Sequence, residues 1–224
     1  MEDAQQEQKK AQPPGDSREK IVDALMGLAE ERPWEEISLS DVADRAGVNL
    51  GQFRDAFPSK GAILGAFSKR IDKIVLEGAA ADLAESPRDR LFDVLMRRFD
   101  AMAPYKLALK HINNWAMHEP TALPALNQLA INSLRFMLEA AGLSSEGALG
   151  ALKLQGLALA WTHVFHTWLA DEEPDQAKTM AALDRELSRG ETFVARAEDA
   201  RRLLEPLAAP LRGLAERIFG GSAR

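Results

Sequence analysis

The stretch "GVNLGQFRDAF", Gly47 to Phe57, sets Asn49, Leu50, Gly51, Gln52, Arg54 and Asp55 on a short predicted helix that follows directly on a glycine turn. Phe53 and Phe57 take its buried side, which leaves Gln52, Arg54 and Asp55 nearer solvent. A short helix in that position can lie in the major groove of DNA, with amide and guanidinium groups as donors to the phosphate backbone. A second constellation lies further on. His163 and His166 stand one helical turn apart, and His111 and His118 lie on a preceding helix with Trp115. Imidazoles at that spacing can share a metal ion, but no carboxylates are interleaved as in two-histidine motifs and there is no HExxH, so no metal site is expected. Trp115, Trp161, Phe165 and Trp168, with Asn114 and His163 as polar handles, could line an apolar ligand cavity. The same aromatic spacing also suits plain core packing. A phosphate-cradling glycine loop, a recognisable Ser/His/Asp arrangement and a dinucleotide fingerprint are all missing from the sequence, so neither enzymatic activity nor a cofactor is expected.

The elements that must position these residues read as helices throughout, and the expected fold class is all-α. Ser17 can cap a first helix whose stripe is Ile21, Leu25 and Leu28, and which ends near Arg32 before Pro33. Ser38 and Asp41 have the form of a capping box for a short helix carrying Val42, Ala43 and Ala46 inward; Gly47 stops it, and Val48 plugs the angle to the next. Asn49 with Gln52 repeats the capping pattern for a helix over Leu50 to Ala56. A fourth helix starts near Lys60 with Ile63, Phe67, Ile71 and Ile74 as its stripe. Longer helices are expected over Pro87 to Ala103, Tyr105 to Met117, Pro120 to Ala141, Glu146 to Leu169 and Pro174 to about Arg202, with a last amphipathic piece from Glu205 to Phe219. This divides the chain into a tail (1–16), a helix-turn-helix module (17–77) and a larger helical domain (78–220).

Composition narrows the function classes. The 224 residues contain no cysteine, which removes disulfides, thiolate metal sites and cysteine nucleophiles. The net charge is −6, and Arg18 to Lys73 holds nine basic residues against ten acidic ones, so a general nucleic-acid coating protein is disfavoured while a small DNA-reading module remains allowed. No stretch approaches the roughly 18 apolar residues of a membrane span, and the first residues lack the apolar core of a signal peptide. A cytoplasmic protein without integral membrane association is expected.

Residues 18–67, and "LSDVADRAGV" with its spacing to "FPSK" in particular, resemble the N-terminal region of TetR-type regulators. That resemblance implies a homodimer whose third helices read the two halves of an inverted repeat in double-stranded DNA, under control of a C-terminal domain that binds a hydrophobic small-molecule effector or lipid. The positions that usually contact phosphate in the family read Gln52, Arg54 and Lys60 here, with Arg18 a further candidate. Asn49, Leu50, Gly51 and Asp55 are the residues expected nearest the groove floor. The segment "FHTWLADEEPDQAKTMAALDRELSRGE" is similar, more diffusely, to the TetR-like lipid-binding proteins of ubiquinone biosynthesis. The alternative function is therefore a lipid-binding or isoprenoid-binding accessory protein that keeps the helix-turn-helix as architecture alone.

Overall fold

A computed structural model describes residues 14–78, 84–194 and 196, and every regular element among them is helical. The expected amphipathic piece at 205–219 and most of the expected tail lie outside the described residues. The first helix, α1 (Pro14–Glu31), begins three residues before Ser17, inside the expected tail. Proline is suited to the first helical position, where no amide hydrogen bond is required of it.

Two short helices follow a 3-10 turn at Trp34–Glu36. In α2 (Leu39–Ala46), the Ser38 hydroxyl accepts from the Asp41 amide at 3.1 Å while the Asp41 carboxylate accepts from the Ser38 amide at 2.8 Å. Gly47 ends α2 in the left-handed region at φ 67°, and the next amide, of Val48, reaches back to the Ala43 carbonyl at 3.0 Å. This is the glycine-terminated closure that satisfies the last carbonyls of a helix, and it tucks the buried Val48 into the corner. Asn49 and Gln52 then exchange the same pair of bonds, at 2.9 and 3.0 Å, to start α3 (Leu50–Ala56) independently of α2.

From α4 (Lys60–Glu77) the chain leaves the small module and enters the body. Its buried stripe is Ile63, Leu64, Phe67, Ile71 and Val75. Ile74, expected on that stripe, is instead 53% exposed, because the 3.6-residue period carries the face from Ile71 to Val75. α5 (Pro87–Met102), α6 (Lys106–His118), α7 (Leu123–Ala140) and α8 (Gly147–Ala170) complete the body with a further helix, α9, over 177–194. α7 starts later than expected because Pro120–Ala122 first forms a 3-10 turn. α9 also starts late: Gln176 adopts φ 53°, which breaks the helical path beginning at Pro174.

Four elements meet at one buried charge. Asp72 of α4 accepts from the Arg98 guanidinium of α5 and, at 2.8 Å, from the Ser133 hydroxyl of α7. Arg98 also reaches Ser68 Oγ at 3.3 Å and lies over the Trp161 ring of α8, 5.5 Å from its centroid. Both ions are almost wholly removed from water. Losing one partner of such a pair strands a buried charge, whereas replacing both with apolar side chains removes the desolvation penalty along with the attraction. Asp72→Ala should therefore lower the unfolding free energy by about 3–5 kcal/mol, with Asp72→Leu plus Arg98→Met recovering most of it; urea titrations of the two variants decide the point. Losing the α3 cap is a smaller change: Asn49→Ala should cost about 1 kcal/mol in the same measurement.

Candidate nucleic-acid interface

α3 is held by its inner face and free on its outer one. Phe53 and Phe57 are buried in the cluster formed with Ile21, Leu25 and Val42, while Asn49, Leu50, Gly51, Gln52, Arg54 and Asp55 are all exposed. The capping box consumes the side-chain carbonyls of Asn49 and Gln52, leaving the two amide NH2 groups as outward donors. Leu50 is 56% exposed, a large apolar side chain in the first turn of the helix, where a thymine methyl could receive it. The side chains of Arg54 and Asp55 make no hydrogen bond or ion pair among the described residues. The structure thus brings six of the eight expected nucleic-acid contacts onto one exposed face.

The other two candidates are committed within the module. Arg18 donates to the Ala56 carbonyl at the end of α3 and stacks over Phe57, 4.1 Å from the ring centroid. It fixes the back of α3 to α1. Lys60 donates to the carbonyls of Trp34 and Ile37, at 2.7 Å each, and stands 4.6 Å from the Trp34 ring centroid. Burial pulls its ammonium below the usual lysine range, with Glu35 and Asp41 opposing the shift. Both cations close a turn: Arg18 meets the Ala56 carbonyl at the end of α3, and Lys60 adds a second donor to the Trp34 carbonyl, which already accepts from the Ile37 amide at 3.3 Å, and meets the Ile37 carbonyl as well.

Further cations of the module are paired with acids. Arg45 forms a two-pronged bridge to Glu31 at 2.9 and 2.6 Å, which holds that carboxyl below its ordinary range. Arg32 meets Asp41 at 3.1 Å, and Arg70 meets Asp23 and Glu19 at 2.6 and 3.2 Å. The near-neutral charge count of the sequence therefore corresponds to real pairs, and Arg54 stands as the unpaired cation of α3.

The six residues expected around a ligand cavity separate into different places. Phe99 stacks on Trp161 at 4.7 Å and 11° and packs against Trp168 at 5.4 Å, with Phe165 flanking both tryptophans. These rings form packed core between α5 and α8. Trp115 lies elsewhere, 5.4 Å from Trp34 at the junction of module and body. Asn114 and His163 are exposed, and His111 Nδ1 lies 2.8 Å from the Ala29 carbonyl, joining α6 to α1. The buried Asp72–Arg98 pair was not foreseen from the residues; its signal is an aspartate standing between Ile71 and Val75 on an otherwise apolar face.

Residues 21–67 match the family model described as bacterial regulatory proteins, tetR family. An 82-residue stretch is 39% identical to the HTH-type transcriptional regulator EthR of Mycobacterium tuberculosis, covering 35% of this chain and 37% of that protein. The match thus spans little more than a third of the relative's length. Among solved structures, the TetR transcriptional regulator from Nitrosomonas europaea superposes with a TM-score of 0.61 at 25% identity, covering 78% of this chain and 97% of the other. A TetR regulator from Rhodococcus sp. RHA1 gives a TM-score of 0.57 at 23% identity over 77% and 96%, a likeness of fold. The family model thus covers the capped helix-turn-helix, and the helical body continuing from it is similar in fold to the solved TetR regulators.

Proposed function

We propose that the chain is a non-enzymatic transcriptional regulator that grips an inverted-repeat operator as a homodimer and responds to a hydrophobic small molecule. The observation that carries this reading is the outer face of α3, where Leu50, Gly51, Arg54, Asp55 and the free amide NH2 groups of Asn49 and Gln52 are exposed together on a helix whose start and inner face are both fixed. Direct base readout needs side chains whose positions are set before contact, and two capping boxes with a glycine-terminated turn supply that rigidity. The named relative and the solved TetR regulators support the same reading.

A homodimer is supported by a stripe of small and apolar residues along α8. Ala148, Ala151, Leu152, Gly156 and Leu159 recur at helical spacing on its outward side, and Leu159 is 77% exposed. Phe193 on α9 is 57% exposed. Small residues let a partner helix approach closely, and a contiguous apolar face of this kind is uncommon on a monomer surface. Leu159→Glu should shift the protein from dimer to monomer at micromolar concentration, read by gel filtration with light scattering; an unchanged mass would place the interface elsewhere.

Because so many of the module's cations are internally paired, the proposed contact leans on few charges. The salt slope of binding counts the phosphates neutralised, and Arg54 is the cation of α3 left to neutralise one. Arg54→Ala should weaken binding to DNA flanking the protein's own gene and flatten the plot of log K against log salt by about one unit per subunit. Equal binding by variant and parent across a salt titration would remove Arg54 from the interface.

A second reading, a TetR-fold lipid-binding or isoprenoid-binding accessory protein, draws on the inward commitment of Arg18 and Lys60. Its expected outcome differs: no preference for any flanking duplex over a scrambled one at low salt, together with a co-purifying isoprenoid lipid in native mass spectrometry.

A further inference from the structure

An open groove of about 640 Å³ runs along the junction between the small module and the body. Trp34, Leu39 and Lys60 line it from the module side, and Trp115, Leu126 and Leu129 from α6 and α7. Its size falls within the range of small-molecule sites, and its walls are mostly apolar, with Lys60 the one charged side chain and Ser59 the one hydroxyl among the lining residues. That cation is incompletely satisfied. An ammonium carries three N–H donors; Lys60 Nζ gives two of them to the Trp34 and Ile37 carbonyls, and no acceptor in the described residues takes the third. Neither carbonyl carries a charge. Of the acids that act on it through space, Asp41 is occupied by Ser38 and Arg32, and Glu35 makes no hydrogen bond to Lys60.

A half-buried cation with a spare donor, set in an apolar groove between two tryptophans, is complementary to one kind of occupant. A neutral hydrocarbon would leave the donor unmet and a dianion would bury an unmatched charge, whereas a single carboxylate on an apolar body answers both features. We propose that the junction groove is a binding site for an amphipathic organic monocarboxylate, its carboxylate accepting from Lys60 Nζ and its body lying on Trp115, Leu126 and Leu129 beside the buried Trp34. Such a ligand touches both sides of the junction. It adds a charged acceptor to the ammonium that closes the 33–37 turn, which leads into α2 and α3. The consequence for DNA rests on the regulator reading: the ligand would bias the angle of α3 by its differential affinity for the two arrangements.

The test uses the full chain and isothermal titration calorimetry, with decanoate against 1-decanol and 2-naphthylacetate against 2-naphthaleneethanol. Each acid is expected to bind at least about tenfold tighter than its alcohol, the worth of one charge-assisted hydrogen bond in a partly dry site. Lys60→Met should abolish that preference, and Leu129→Trp, which fills the groove, should weaken acid and alcohol alike. Binding of neither acid, equal binding of acid and alcohol, or a preference untouched by Lys60→Met would overturn the site. Since Lys60 also ties the 33–37 turn, the acid-to-alcohol ratio on the unaltered chain decides the proposal even where Lys60→Met does not fold. The same preparations are assayed on DNA. A chain that prefers the acids yet shows no duplex selectivity sinks the regulator reading alone; one with duplex selectivity and no acid preference sinks the site alone.

Discussion

The body of this protein is organised around a charge that has no access to water. Asp72 sits on the buried face of α4, and the fold answers it with Arg98 from α5, Ser133 from α7 and the Trp161 ring of α8 beneath the guanidinium. A helix that slid or turned within this core would lose close packing and would also leave a charge unpaired in a low-dielectric interior. α4 also carries Lys60 at its other end, so one helix links the buried ion pair to the turn that precedes α2. Gly65 assists the fit, with Leu129 of α7 lying 3.4 Å from where a β-carbon would stand.

At the far end of α4 the same logic runs in miniature. Chain reversals at 33–37 and 56–57 turn carbonyls outward from the backbone, and Lys60 and Arg18 donate to them. Each also rests on an aromatic face, which adds a favourable contact for the cation without adding a counter-charge. Two candidates for phosphate contact are therefore used inside the fold, Arg18 at the end of α3 and Lys60 at the 33–37 turn. In the proposed regulator, cations tied up in this way contribute little long-range attraction to phosphate, which accords with the net charge of −6.

The body is asymmetric in what it exposes. Its interior between α5 and α8 is a stack of Phe99, Trp161 and Trp168, closely packed, while the outer side of α8 presents Leu152 and Leu159. A helix apolar all round has to bury its second face against something, and in the proposed dimer that is a second copy. The junction groove is another place where apolar surface remains open, and there the Lys60 ammonium decides what can enter.

Local chemistry was legible in the sequence. The Ser38–Asp41 and Asn49–Gln52 boxes, the Gly47 stop, the Val48 plug and the start of α4 at Lys60 all depend on residues within five positions of one another, so spacing alone specifies them. Helix positions in the body were legible to within a few residues for the same reason, and the exceptions fall at Pro14, Pro120 and Gln176, where a proline or a left-handed residue shifts a boundary. The partners of long side chains could not be read this way. Arg18 meets Ala56, Lys60 meets Trp34, Arg98 meets Asp72 and Trp115 meets Trp34, all from more than 25 residues away. Charge and aromaticity are visible in a sequence, but whether a cation faces solvent or closes a turn, and whether a tryptophan lines a cavity or fills one, depends on which distant backbone packing brings within a few ångströms, and that is set by the whole core at once.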